Sequence, residues 1–411
     1  MFVYVLNQRG EPLMPCSPSK ARKLLKQGKV KVIKTEPFTI QLLYGSSGYK
    51  QKITLGVDAG SKVVGLSATT ENKELYSAEV QLRSDIVDLL STRRQNRRMR
   101  RGRLRYRKPR FLNRVKSKNK GWLAPSIENK IQTHLTVVGN VHKILPVSKI
   151  IVEVASFDIQ KIKSPGISGE DYQQGEQMNF WNVREYVLFR DGHSCHGRKG
   201  CKNKILNVHH IESRKVGGDS PSNLITLCEE CHSDYHKGKL ELNLKRGQTF
   251  RDAAFMGIMR WAFYNKLKTL YPEVSLTYGY ITKNTRITHS LPKEHRIDAL
   301  CISGNPTVER LGYFYFLKKV RCHNRQIHKA NILKGGVKRL NQAQFEVKGF
   351  RLFDKIQYQG KLYYIFARRN NGFFDIRTLD GTKVNKGSIS CKSFKLIERR
   401  KSLLTERRLA G

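Results

Sequence analysis

Apolar and polar positions alternate in blocks along the 411-residue chain, and the period changes several times. An apolar run from Phe2 to Leu6 opens it. Ser17-Pro18 then reads as an N-cap and first helical position, and Gly28 as the C′ stop of a short basic helix. β-rich residues return from Val30 to Leu43, which predicts a small basic module over residues 1–52. From Lys52 three strands are expected in succession, Ile53–Val57, Val63–Thr69 and Glu74–Val80, a β-meander ending near Leu82. Helical periodicity resumes over Ser126–Ile144, Ile150–Ala155 reads as a buried strand, and residues 159–180, rich in Gly, Ser, Gln and acid, read as a linker. Phe250–Leu270 predicts an amphipathic helix, Val274–Ile281 a strand and Lys293–Ile302 another helix. Lys361–Ala367 and Gly372–Leu379 alternate again, so residues 307–411 are expected to form a β-rich module.

Charge changes the picture. There are 78 Lys+Arg against 33 Asp+Glu, a net charge of +45. Such an excess points to a polyanionic partner, because each phosphate contact releases condensed counterions. Hydrophobic residues at 39% still allow real cores, which excludes a disordered basic tail. Arg93–Lys120 holds 15 Lys/Arg among 28 residues and no acid. Within it Arg93–Arg107, with no Pro, one Gly and many good helix formers, predicts a long basic helix once that charge is neutralised. No apolar stretch has the length of a membrane span and the N-terminus lacks secretory order, so a cytoplasmic protein is expected.

Four of the eight cysteines cluster, as Cys195-x5-Cys201 and Cys228-x2-Cys231, with His209-His210, Asn223 and His232 between and beside them and His236 one turn further on. Two thiolate pairs predict a structural zinc site in a block too small to hold itself together. The x5 spacing departs from the commoner x2, which leaves His196 as an alternative to Cys201. The pattern resembles the HNH (ββα-metal) endonucleases. By that resemblance His209 and His232 bind one Mg²⁺, His210 is the general base that deprotonates the attacking water, and Asn223 orients it.

A second constellation is scattered. Gly56-Val57-Asp58-Ala59-Gly60 ends the first strand of the meander, with glycines that would allow close approach of a phosphate backbone. Taken alone, that hairpin also suits the sugar-kinase and actin-like ATPases. Glu153 lies in an apolar strand, where a carboxylate is costly unless it is paired or binds a cation. His295 and Asp298 stand three apart on one helical face. Three carboxylates from separate elements suit a two-Mg²⁺ phosphodiesterase, and their order resembles the RuvC-type nucleases of the RNase H-like fold. That resemblance makes Asp58, Glu153 and Asp298 ligands of two Mg²⁺ and gives His295 a part in proton transfer or metal placement.

The order of the parts resembles the IscB family, transposon-encoded relatives of the RNA-guided CRISPR nucleases, and Pro12-Leu13-Met14-Pro15 matches the motif that names their N-terminal domain. The resemblance implies a multidomain α+β protein, with a split RNase H-like (RuvC) domain, an inserted HNH domain, an arginine-rich bridge helix and basic β-rich modules at both ends. The expected segments are 1–52 (PLMP-type), 53–83 (RuvC I), 84–120 (bridge helix), 121–180 (RuvC II and linker), 181–240 (HNH), 241–306 (RuvC III) and 307–411 (guide RNA and target-adjacent motif). It implies a ribonucleoprotein, one protein per structured guide (omega) RNA, that cuts double-stranded DNA. Arg93, Arg94, Arg97, Arg98, Arg100, Arg101, Arg103 and Arg105 would grip nucleic acid. HNH would cut the guide-paired strand and RuvC the displaced strand. An unguided resolvase or homing nuclease, or a non-enzymatic RNA-binding protein, shares part of these features.

Overall fold

The computed structural model describes residues 1–46, 48–104, 123–154, 182–213, 219–242, 244–245, 247, 251–322, 331–332, 338–339, 344–385 and 387–410. The expected linker over 159–180, the basic stretch beyond residue 104 and Arg105 lie outside the described residues. Two compact units emerge, Met1–Ala155 with Met259–Gly411, and Ser156–Ile258.

In chain order the elements are β1 (Tyr4–Leu6), α1 (Pro18–Lys26), β2 (Val30–Lys34), β3 (Thr39–Leu42), β4 (Thr54–Asp58), β5 (Val63–Thr69), β6 (Glu74–Gln81), α2 (Ile86–Leu104), α3 (Pro125–His142) and β7 (Lys149–Val154). Then come α4 (Val183–Arg190), β8 (Leu206–His210), β9 (Leu224–Cys228), α5 (Glu229–His236), α6 (Arg251–Leu270), β10 (Val274–Tyr278), α7 (Gly279–Thr288), α8 (His295–Ile302) and β11 (Tyr313–Lys319). Last are β12 (Lys355–Tyr358), β13 (Lys361–Arg368), β14 (Phe373–Arg377), β15 (Ile389–Ser390), β16 (Lys395–Glu398) and β17 (Leu403–Leu409).

The first unit begins with a small sheet of order β1-β3-β2. Its helix α1 starts where expected because the Ser17 side chain accepts the Lys20 N–H at 3.3 Å, and the chain turns away through Gly28 at φ +66°. The body of the unit is a seven-stranded mixed sheet among the described residues, of order β10-β7-β4-β5-β6-β11-β17. The meander β4-β5-β6 is antiparallel, whereas β4, β7 and β10 run parallel. Leu55, Val57, Leu66, Val80 and Val152 are fully buried, which is why these strands read as continuous apolar runs.

Three expectations need correction. The strand expected over Val274–Ile281 ends at Tyr278, and the rest of that stretch belongs to a helix, α7. Its apolar residues are too few and too local to distinguish the two states by period. Residues 307–411 are not one module: β11 and β17 complete the large sheet, while β15-β14-β13-β12-β16 forms a separate five-stranded sheet between them. The basic helix begins at Ile86, ahead of its first arginine.

The second unit contains a ββα arrangement. Strands β8 and β9 pair antiparallel, with His209 opposite Ile225 and His210 opposite Leu224, and α5 follows directly from β9.

Candidate active sites

In the second unit the Sγ atoms of Cys195, Cys201, Cys228 and Cys231 all lie within 4.8 Å of one another. Cys201 Sγ stands 3.6 Å from Cys228 Sγ, close to the roughly 3.8 Å that 2.3 Å zinc–sulfur bonds impose in a tetrahedron. Backbone N–H groups of Cys228 and Gly197 donate to Cys195 Sγ at 3.1 and 3.3 Å, and that of Cys231 donates to Cys228 Sγ at 3.4 Å. Burial and the neighbouring thiols push the Cys231 thiol up to about 12, so four thiolates coexist here only around a cation. The donor set fits zinc. Cys201 joins it; His196 instead faces the Asp191 carbonyl at 3.4 Å.

A separate group joins His209, His232 and His236, whose ligand atoms also lie within 4.8 Å of one another. Strand β8 supplies His209 and α5 supplies the other two, one turn apart. His209 is buried, and neither ring nitrogen has a hydrogen-bond partner. Burial, then the neighbouring imidazoles, push it down to about 4, so the ring is neutral and offers a lone pair. An orphaned buried imidazole facing two others fits a divalent cation. His236 belongs to this group, although its i,i+4 spacing from His232 was the only sequence signal for it.

His210, beside His209 on β8, points the other way, as alternate residues of a strand do. Its Nε2–H donates to Asp219 Oδ1 at 2.9 Å, which leaves Nδ1 as the lone pair able to take a proton. Asn223 is fully buried and bonds the Glu212 backbone twice: Oδ1 accepts its N–H at 2.8 Å and Nδ2 donates to its carbonyl at 2.9 Å. The Ile211 N–H also donates to the Asn223 carbonyl at 2.9 Å. Asn223 thereby braces the backbone that follows His210.

The first unit brings Asp58, Glu153, His295 and Asp298 to one end of the large sheet. Asp58 ends β4, Glu153 is next to last on β7, and the two strands are parallel, with Val57 opposite Val152. Helix α8 crosses β4 and β5 where a Cβ on Gly56 would stand 2.0 Å from the Ala299 carbonyl oxygen and one on Gly65 1.9 Å from that of His295. A Cβ on Gly60 would meet the Val63 carbonyl oxygen of its own hairpin at 1.9 Å. The backbone these glycines admit is thus the protein's own, in place of the phosphate chain expected. The close crossing sets His295 Nδ1 at 2.6 Å from Asp58 Oδ2, and this bond, opposed by burial, raises the His295 pKa.

These carboxylates are held by arginines. Arg260 of α6, itself buried, donates from Nη1 to Glu153 Oε1 at 2.8 Å and from Nε to the Ala59 carbonyl at 2.9 Å. Its Nη2 stands 3.6 Å from Asp58 Oδ1. Arg286 of α7 pairs with Asp298 Oδ1 at 2.9 Å. Burial still raises Glu153 and Asp298, and the Asp58 charge adds to both. Asp58 and Glu153 are buried and Asp298 is partly so, and the repulsion from Asp58 that adds to the rise of Glu153 and Asp298 is what an added cation would offset. Sequence reasoning missed both arginines, since an arginine inside a helix carries no motif.

On α2, Arg93, Arg94, Arg97 and Arg98 are exposed. Arg100, Arg101 and Arg103 lie on the same helix, their side chains outside the description. None of the described helices is long and apolar enough to cross a membrane.

Residues 193–238 match the HNH endonuclease family, so the block that holds the cysteines and histidines is an HNH endonuclease domain. Residues 3–175 match a second family, described as RRXRR protein. Anaredoxin of Nostoc sp. (strain PCC 7120 / SAG 25.82 / UTEX 2576) is 40% identical over 45 residues, 11% of this chain and 59% of that protein. Among solved structures, Streptococcus thermophilus Cas9 in complex with the AGAA PAM is 14% identical with a TM-score of 0.33, covering 51% of this chain and 30% of that one. The same Cas9 with the GGAA PAM gives 14% and 0.32 over 52% and 30%. The chain therefore spans under a third of the length of these Cas9 chains.

Proposed function

We propose that the protein is an RNA-guided, cytoplasmic double-stranded DNA endonuclease of the IscB type with two nuclease centres. The observation that carries this reading is the convergence of Asp58, Glu153, His295 and Asp298, from three elements far apart in the chain, in the unit that hosts the HNH insertion. On this reading the large sheet and α8 form a RuvC centre and cut the displaced strand, while the HNH domain cuts the strand paired to the guide. The exposed arginines of α2, as a bridge helix, grip a structured guide RNA, one RNA per chain.

In the HNH centre His209, His232 and His236 would hold a Mg²⁺ ion, and in the other centre Asp58, Glu153 and Asp298 would hold two. Divalent cations, when bound, offset charge on the phosphate and leaving oxygens. The protein's own groups do the rest. His210, oriented by Asp219 and by the Asn223-braced chain, takes the proton of the attacking water at Nδ1. His295, tethered by Asp58, is placed to move a proton at its free Nε2.

The test is guided cleavage of a duplex labelled separately on each strand, using the full chain with its co-purifying RNA. His210→Ala is expected to slow the guide-paired cut by roughly 10²–10⁴-fold, the usual worth of a general base, and to spare the other. Asp58→Ala is expected to do the reverse, with target binding intact in both. Loss of both cuts from either substitution, or specific cutting by protein stripped of RNA, would overturn the proposal.

A further inference from the structure

Tyr278 closes β10 and Tyr280 lies in the first turn of α7, on either side of Gly279. Their rings lie 6.2 Å apart and 11° from parallel. Both face solvent, at 39% and 66% exposure. Two large aromatic faces presented together to water forgo the burial such rings ordinarily gain. Their position is informative. Thr277, the residue before Tyr278, is the register partner of Glu153, and a Cβ on Gly279 would stand 3.3 Å from Glu153 Oε1. The aromatic pair thus borders the carboxylate centre at the carboxyl ends of its parallel strands. Lys283, one turn after Tyr280 on the same helical face, is exposed and basic.

A flat ligand with a π-face and an attached anion suits this combination, and a nucleotide of a single strand has both. Stacking on an aromatic face tolerates any base, and a neighbouring cation meets the backbone phosphate. A duplex, whose bases are already stacked on each other, offers no free face. From this geometry we infer that Tyr278 and Tyr280 form a stacking platform for a nucleobase of the single-stranded DNA entering the carboxylate centre, with Lys283 on an adjoining phosphate. The inference rests on the reading of that centre as a nuclease, and it makes the two tyrosines positioning residues that seat the strand.

The test uses the full-length chain and single-stranded deoxyoligonucleotides carrying 2-aminopurine at each position in turn, first without divalent cation and then with Mg²⁺ for cleavage. The wild type is expected to quench fluorescence at one or two adjacent positions. Tyr280→Ala should remove that quenching and raise Kd and KM by roughly 5- to 150-fold, the affinity equivalent of one stacked base, with kcat within about twofold. Tyr280→Phe, which keeps the ring and drops the hydroxyl, should behave as wild type. Quenching unchanged in Tyr280→Ala and in the Tyr278→Ala/Tyr280→Ala pair would overturn the platform, as would quenching seen only with the matching RNA oligonucleotide. Tyr280-dependent quenching in a chain whose cutting is indifferent to Asp58→Ala would uphold the platform and overturn the nuclease reading instead.

Discussion

The thiol and imidazole groups of the second unit are drawn from residues 195–236, each within 4.8 Å of its fellows, whereas the carboxylates of the first unit come from residues 58–298 and are parted by guanidinium groups. The difference follows from how much core each has. The first unit buries a seven-stranded sheet among its described residues and can hold like charges near one another with arginines of its own framework. The second, whose described residues form a two-stranded hairpin and short helices, has no such sheet among those residues, and its four clustered thiols would let a bound metal fix its shape.

That contrast can be broken most forcefully at the zinc site. Cys228→Ser is expected to abolish bound zinc, about one ion per chain in the wild type by elemental analysis, and to unfold the HNH domain, because structural zinc supplies on the order of 10 kcal/mol. The first unit should still melt cooperatively. Its own weak point is different in kind. Gly65→Ala places a methyl group against backbone, where no side chain can yield, so α8 should detach from β5 at a cost of about 4–5 kcal/mol, read as a lowered Tm with zinc content unchanged. Arg260→Met should cost roughly 3–4 kcal/mol by stranding Glu153 and Asp58. Added Mg²⁺ should restore part of that loss in calorimetry, but little of the loss in Gly65→Ala.

The smallest effect concerns pH. His142 stacks on Tyr271 with ring centroids 4.2 Å apart, and burial pushes it down to about 4. The unfolded chain then binds a proton near pH 6.5 that the folded chain refuses until about pH 4, so stability is present above 6.5 and is lost as pH falls through that window. His142→Gln should flatten the acid limb of a Tm-against-pH curve. An unchanged limb would assign the acid sensitivity to other groups.

Legibility in the sequence divides along the same line as the two sites. The strands β4, β5 and β6 and the cap of α1 were readable because apolar runs bounded by turn residues, like caps, are local signals. The cysteine group was readable from spacing alone, and its x5 member fits because the sulfur positions tolerate a longer loop. In the carboxylate centre Asp58 stood out in its glycine-flanked hairpin, Glu153 as a charge in an apolar strand and Asp298 by its spacing from His295, but their arginine partners did not. Arg260 approaches Glu153 only because of the way α6 packs, and β17 joins β11 only after an intervening sheet. Neither relation leaves a periodic trace. Val274–Ile281 was misread because a strand and a helix meet at Gly279 within one apolar stretch.

The pairing of β11 with β17 has a practical side. Seven register pairs, from Tyr313 opposite Leu409 to Lys319 opposite Leu403, join the two ends of the segment that contains the five-stranded sheet, and the Tyr364 hydroxyl and Lys355 ammonium of that sheet donate to the Thr405 carbonyl. A backbone break between β11 and β12 would therefore leave two polypeptides that recognise each other by strand exchange at an open sheet edge. The smaller fragment would contribute the outermost strand of the larger one's sheet. The protein is thus suited to fragment complementation, with reassembly guided by that β-ladder, four strands along the sheet from Asp58, together with contacts such as that of Lys318 Nζ with the Leu379 carbonyl at 2.9 Å and the ion pair of Lys355 with Glu36.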